Sequence, residues 1–201
     1  MDSSNDVVFP AAGLESPIFD PAADDAVNYG SIGLTIGHEL THGFDDQGRT
    51  FDATGALRDW WTTDDVNAFN ERAGKLGAQY ARYEVVPGVH IDPGLTMGEN
   101  IADLGGLLIA LDAYHASLRG KPAPVIGGLT GDQRLLMSFA QALRAKVRPE
   151  MLRKAALSDP HSADRFRVLG VLSNVDAFYA AFDVSPGDRM YRAPEKRVRI
   201  W

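Results

Sequence analysis

The chain has 201 residues, 45% of them hydrophobic and 23% charged, which suits one compact domain with a sizeable core. It contains no cysteine, so disulfides, Cys-ligated metals and thiol catalysis are excluded. Twenty basic against 27 acidic residues leave a net charge of −7, which argues against nucleic-acid binding by charge neutralisation.

Residues 1–26 read as irregular or extended, with Val7-Val8-Phe9-Pro10 as a short strand and Pro17 and Pro21 breaking any helix. A helical pattern runs from Ala26 to about Phe44, with Ile32, Ile36 and Leu40 four apart on one apolar face. A turn-rich loop over 47–61 ends in Trp60-Trp61, read as a packing anchor. Thr62-Thr63-Asp64-Asp65 opens a helix to about Tyr83, because a capping hydroxyl and first-turn acids suit the helix dipole. Glu84 to Asp92 is short, partly extended and broken by Pro87-Gly88. Thr96 to Leu118 is helical, with Ile101, Leu104, Leu108 and Leu111 apolar. After a Pro/Gly-rich connection, Thr130 caps a helix to about Val147. Shorter helical pieces fit 150–157 and 164–172, and Ser173 caps a last helix to Phe182. The tail from Ser185 to Trp201 is turn-rich and basic. Six or seven helices with little strand predict a mainly α domain. No apolar run approaches the ~20 residues of a membrane helix. No signal peptide opens the chain.

His38-Glu39-Leu40-Thr41-His42 is an H-E-x-x-H pattern inside the first helix. Four residues advance a helix by about 400°, so both imidazoles share one face and can grip one zinc ion. Glu39 is placed to act as general base on water. The short-spaced third histidine of some zinc proteases is absent, since Asp45 and Gly48 stand at those offsets. A third ligand must come from elsewhere, and Gly98-Glu99-Asn100-Ile101-Ala102-Asp103 supplies a carboxylate. Glu99 and Asp103 are four apart on a second helix. Alone, such a pair is a solvated helix face. Paired with an incomplete zinc motif, it gives Glu99 as ligand and Asp103 as the hydrogen-bond partner of a ligand histidine. Asp45, three residues past His42, can orient His42 in the same way, or it is simply an acid at the helix end. His90 and His115 fit no catalytic pattern and read as structural or exposed.

Three segments then carry a resemblance: HELTHGFDD (38–46), GENIAD (98–103) and DPHSADRFR (159–167). With VFPAAG at 8–13, they resemble the neprilysin and endothelin-converting-enzyme family of zinc metallopeptidases over essentially the whole chain. The resemblance implies a zincin-like (gluzincin) catalytic domain over 1–201, mainly α with a few short strands. It implies one zinc per chain on His38, His42 and Glu99, with Glu39 activating water and Asp103 and Asp45 orienting the histidines. His161 matches the histidine that stabilises the oxyanion. Arg167 matches the arginine that holds the substrate backbone and helps build the pocket for the residue after the cleaved bond. Taken alone, His161 reads as a structural or solvated loop residue, and Arg167 as a helix-surface cation. Ile18, Leu34 and Thr35 are assigned to that pocket by position.

The chain departs from the family in three ways. It lacks the cysteines that tie down some members' tails, so its tail must be held by packing. Ala142-Leu143 stands where vertebrate members have a pocket-wall Trp. Met1 falls just after the place of an Asn-Ala-x-Tyr segment that binds substrate backbone, and the family's covering N-terminal region is missing. The expected function is zinc-dependent endopeptidase action on oligopeptides, on the N-terminal side of hydrophobic residues. The alternatives are a truncated, catalytically weak or silent zinc-binding fragment and an aminopeptidase; against the latter, this sequence carries no G-A-M-E-N-like amine-binding motif. Peptides are the expected partners, with no nucleic acid and no membrane segment. The compartment stays open between bacterial cytoplasm and export as part of a longer protein.

Overall fold

The structure, a computed structural model, describes residues 6–201. Met1, read above as the first residue, lies outside them. Residues 6–10 join no ladder, so the strand expected at Val7–Pro10 is absent, and a 3-10 turn follows at Ala11–Leu14. The first helical stretch is not one uniform helix. It runs as α1 (Asp25–Asn28), a wide π turn (Tyr29–Gly33), α2 (Leu34–Thr41) and a 3-10 turn (His42–Phe44). The Ser31 hydroxyl lies at the π turn and donates to the Val27 carbonyl at 3.1 Å, competing with the backbone ladder there.

The next elements follow their caps. α3 (Thr63–Tyr80) opens on a reciprocal capping box between Thr62 and Asp65. The hairpin β1 (Glu84–Val86) and β2 (Val89–His90) turns at Pro87-Gly88. α4 (Pro93–Ser117) starts three residues before the expected Thr96, because Asp92 caps the Gly94 N–H at 2.8 Å and Pro93 suits the first helical position. α5 (Gly131–Ala142) opens on a Thr130/Gln133 capping box and stops well short of Val147. α6 (Pro149–Ala155), α7 (Asp164–Leu172) and α8 (Asp176–Phe182) complete the set. Ser173 does not cap α8 as expected. It ends α7, where its Oγ donates to the Gly170 carbonyl at 3.0 Å, and Val175 precedes α8.

α4 runs through the middle of the core. Its Ile101, Leu104, Leu107 and Tyr114 are buried with Leu76 and Tyr80 of α3 and Leu135 and Phe139 of α5. Truncating one such leucine to alanine costs about 2–5 kcal/mol. The predicted apolar face of the first helix points the wrong way. Ile36 and Leu40 are 40% and 51% exposed, and the buried face carries Leu34, Gly37, His38 and Thr41. Close backbone approach decides this, not side-chain hydrophobicity. A Cβ on Gly37 would stand 2.8 Å from the Gly106 carbonyl oxygen, and one on Gly106 would stand 2.7 Å from the His38 nitrogen. The two glycines let α2 lie against α4, and that crossing carries His38 into the interior.

The tail is held by packing, as its lack of cysteine required. Val198 and Ile200 are buried, Arg197 lies 3.4 Å over the Tyr179 ring, and Trp201 stacks on Phe69 at 5.9 Å. Trp61 packs edge-on against Phe69 at 5.5 Å, which bears out its anchoring role. Among the described residues no helix is long and apolar enough to cross a membrane.

Candidate metal centre

The α2–α4 crossing brings three side chains to one point. His38 and His42 lie one turn apart, His38 at the end of α2 and His42 opening the 3-10 turn, while Glu99 comes from α4. The two imidazole Nε2 atoms are 3.0 Å apart. Glu99 Oε2 lies 3.1 Å from His38 Nε2 and 3.5 Å from His42 Nε2.

The opposite edge of each imidazole is fixed. His38 Nδ1 meets Asp103 Oδ1 at 2.9 Å, and His42 Nδ1 meets Asp45 Oδ2 at 2.7 Å. Asp103 is 1% exposed and also takes two bonds of 2.7 Å from Arg167, through Nε and Nη2. Asp45 accepts from the backbone N–H groups of Gln47 and Gly48 at 2.9 and 2.7 Å. Ionised carboxylates only accept, so each imidazole donates from Nδ1, and in its neutral form turns an Nε2 lone pair inward.

The electrostatics favour positive charge at this point, as protons on the rings or as a bound ion. Burial alone would lower His38, but Asp103 and then Glu99 outweigh it and raise the imidazole to about 8. Burial likewise works against His42, yet Asp45 and Glu99 raise it to about 10. Burial would raise Glu99, but His161, His38 and His42 hold it well below the usual carboxylate range. Asp103, despite burial, is held low by Arg167 and His38. Three carboxylates thus make the centre attractive to positive charge.

These residues fit a zinc ion. Glu99 Oε2 is buried with no donor aimed at it in hydrogen-bond geometry, although imidazole nitrogens crowd around it. Two Nε2 atoms 3.0 Å apart need a positive charge shared between them, a proton or, once both rings are neutral, a metal ion. A tetrahedral ion with bonds of about 2.0–2.1 Å sets its donors about 3.3 Å apart, and the separations above bracket that value. The set of two imidazoles and one carboxylate is that of a hydrolytic zinc site with an open position.

The remaining expected residues take up different places. His161, just before α7, sets Nε2 3.1 Å from Glu99 Oε2, and its Nδ1 lies 3.0 Å from Asp159 Oδ1. Its side chain is 42% exposed, and Glu99, then Asp159, raise its pKa against burial. Glu39 is exposed beside His38. Ile18 and Thr35 are half-buried, and both bond to Ser31, through the Ile18 carbonyl at 2.7 Å and the Thr35 hydroxyl at 3.2 Å. Leu34 is buried in the core. His115 pairs with Asp132 at 2.7 Å and His90 is exposed, both away from the centre.

Sequence reasoning missed Asn100 and Ser162. Ser162 Oγ donates to Asn100 Oδ1 at 2.7 Å, and Asn100 Nδ2 donates to Thr96 Oγ1 at 3.0 Å, all buried. This chain ties the loop that carries His161 to the helix that carries Glu99. The available signal was adjacency: each residue directly follows one of the site residues.

The sequence pattern of peptidase family M13 matches residues 1–198. Endothelin-converting enzyme 1 of Bos taurus is 40% identical over 99% of this chain and 26% of its own length. Neprilysin-3 of Drosophila melanogaster is 37% identical over 99% of this chain and 25% of its own. Among solved structures, the zinc metalloprotease Zmp1 of Mycobacterium tuberculosis, in complex with an inhibitor, superposes with a TM-score of 0.97 at 52% identity, over 99% of this chain and 31% of that one. PepO from Lactobacillus rhamnosis gives a TM-score of 0.84 at 36% identity, over 94% of this chain and 29% of that one. The chain spans about a quarter of the length of the curated relatives it matches.

Proposed function

The chain belongs to peptidase family M13, and from that premise we propose that residues 1–201 are the zinc-binding catalytic part of a metalloendopeptidase. It hydrolyses oligopeptides on the N-terminal side of hydrophobic residues. The observation that carries this reading is the convergence of His38, His42 and Glu99, with both imidazoles oriented from behind and Glu39 exposed beside them.

His38, His42 and Glu99 hold the ion, one per chain. When bound, zinc supplies Lewis-acid polarisation of a substrate carbonyl. Glu39 accepts a proton from water as the water oxygen bonds to the carbonyl carbon, then delivers it to the departing nitrogen as the C–N bond breaks. A carboxylate and an amine result. His161, in its protonated form, donates from Nε2 to the carbonyl oxygen as negative charge develops there, while its Nδ1–H is held by Asp159. Asp103 and Asp45 keep the ligand histidines in register. Arg167 uses two nitrogens on Asp103 and keeps Nη1 for a substrate carbonyl. Ile18 and Thr35 border the pocket for the hydrophobic residue, while Leu34 is taken up by the core.

Glu39→Gln tests the core of this. The amide is isosteric but cannot take the proton, so zinc content measured by plasma mass spectrometry is retained while hydrolysis of a quenched fluorescent peptide falls about 10²–10⁴-fold. Parent-like turnover by the variant would remove Glu39 from the mechanism.

The short span relative to its relatives favours a second reading: the chain by itself binds zinc but positions peptides poorly. Its ligands are all internal, whereas positioning accounts for several kcal/mol of a rate enhancement. The exposed Ile36, Leu40 and Phe44 fit a face that meets further protein. Zinc at one per chain with turnover far below that of a full-length relative on the same peptide is expected. Equal turnover would overturn this second reading and leave the first intact.

A further inference from the structure

The basic tail has no part in the metal centre. It borders a cavity of about 840 Å³ against α3, lined by seven basic side chains and two acidic ones, in a chain of net charge −7. α3 and the turn after it supply Arg72, Lys75 and Arg82. The tail supplies Arg192, Lys196, Arg197 and Arg199.

Their partners fall short of their number. Arg197 and Arg199 share the single carboxylate of Asp176, each at 2.7 Å. Lys75 pairs with Glu71 at 2.7 Å, both well exposed, a contact worth little. Arg72 donates to the Ile200 carbonyl at 2.8 Å and Arg192 to that of Lys196, so neither meets a countercharge there. Among the described residues no hydrogen bond or ion pair engages the side chains of Arg82 and Lys196, both exposed. Arg192 is half-buried, and burial together with the nearby Arg82 pulls it below the usual guanidinium range. Concentrated like charge in a concave trough attracts an anion of several charges.

We propose that this groove binds an acidic peptide segment in extended conformation. Arg72, Lys75, Gln79 and Arg82 follow at near-helical intervals, so the cations are strung over about 15 Å at 1.5 Å per residue. One phosphate cannot span that. Four or five extended residues can, at about 3.3 Å each, and alternate carboxylates then stand about 6.6 Å apart. Guanidinium forks grip carboxylates with two bonds. A planar membrane cannot enter a trough, and Trp201 is the one aromatic residue lining it, too little for base stacking. The groove is independent of the metal centre.

The test titrates isotope-labelled chain with end-capped hexaglutamate, followed by NMR. Expected are shifts at the Arg82 and Arg192 side chains and along the backbone of 192–199. Affinity falls at least tenfold between about 20 and 200 mM salt, since exposed charges are screened. Arg82→Gln with Lys196→Gln weakens binding about tenfold at an unchanged thermal midpoint, because both side chains are exposed and unpaired. Arg82→Glu with Lys196→Glu abolishes binding. Shifts elsewhere, or binding indifferent to both double variants, would overturn the site. Pyrophosphate, a single-stranded oligonucleotide or anionic phosphatidylserine vesicles binding this groove more tightly than hexaglutamate would overturn the peptide.

Discussion

The two sides of the metal centre are built by opposite means. On one side His38, Asp103 and Arg167 form a buried relay from three helices, and every carboxylate oxygen of Asp103 is bonded. On the other, His161 stands on a loop, 42% exposed, braced by Asp159 two residues away and through Ser162 by Asn100. The buried side fixes where an ion sits and cannot move without unfolding something. The loop side is open to solvent, so in the proposed reaction it is the side that substrate can reach. Damage to the first should appear in stability and metal retention, and damage to the second in turnover.

The largest break comes from Arg167→Leu. It strands the Asp103 carboxylate in the interior, and removing one partner of a buried pair costs about 3–5 kcal/mol. Urea denaturation of the metal-free protein reads this directly, and a loss under 1 kcal/mol would mean the pair is not desolvated as described. His161→Ala should do the reverse. Stability and zinc content stay near the parent's, while kcat falls about 10²–10³-fold, as for the loss of one oxyanion donor, with little change in KM. A matching rise in KM would make His161 a binding residue for ground-state peptide. Asp103→Asn keeps the volume but weakens the hold on His38, so zinc affinity in a competition titration should drop about 10–100-fold. Unchanged affinity would detach Asp103 from the metal. The smallest effect belongs to Ser162→Ala, which leaves Asn100 Oδ1 without its donor and costs about 1–3 kcal/mol. Its sharper signature is faster amide exchange confined to 158–163, with zinc affinity intact; exchange identical to the parent's would show that Ser162 does not hold the loop.

The contrast also divides what the sequence revealed from what it hid. The residues of the candidate metal centre were legible because their chemistry dictates their spacing: a step of four from His38 to His42, and of four from Glu99 to Asp103. Helix starts were legible where a cap announced them, as at Thr62 and Thr130. The orientation of α2 was not. Of the predicted apolar repeat, the two members in α2, Ile36 and Leu40, mark its exposed face, since burial there is decided by glycine-to-glycine approach, which leaves no hydrophobic pattern. Arg167 was read as a substrate contact, and its double bond to Asp103 lay beyond reach because it joins elements distant in sequence. The Asn100–Ser162 tie escaped for the same reason.

That distance has a consequence in time. Ribosomes add about 5–20 residues per second, so His38 and His42 leave the exit tunnel on the order of 10 s before Arg167 does. During that interval α2 and α4 can meet, but Asp103 has no guanidinium to enter the interior with. The centre is therefore completed from α7, well after its two histidines have emerged. A nascent chain arrested before α7 would hold two histidines and Glu99 with the carboxylate behind His38 still seeking water. Any metal that it captured early would be held by an unfinished cradle and exchanged freely until α7 docked.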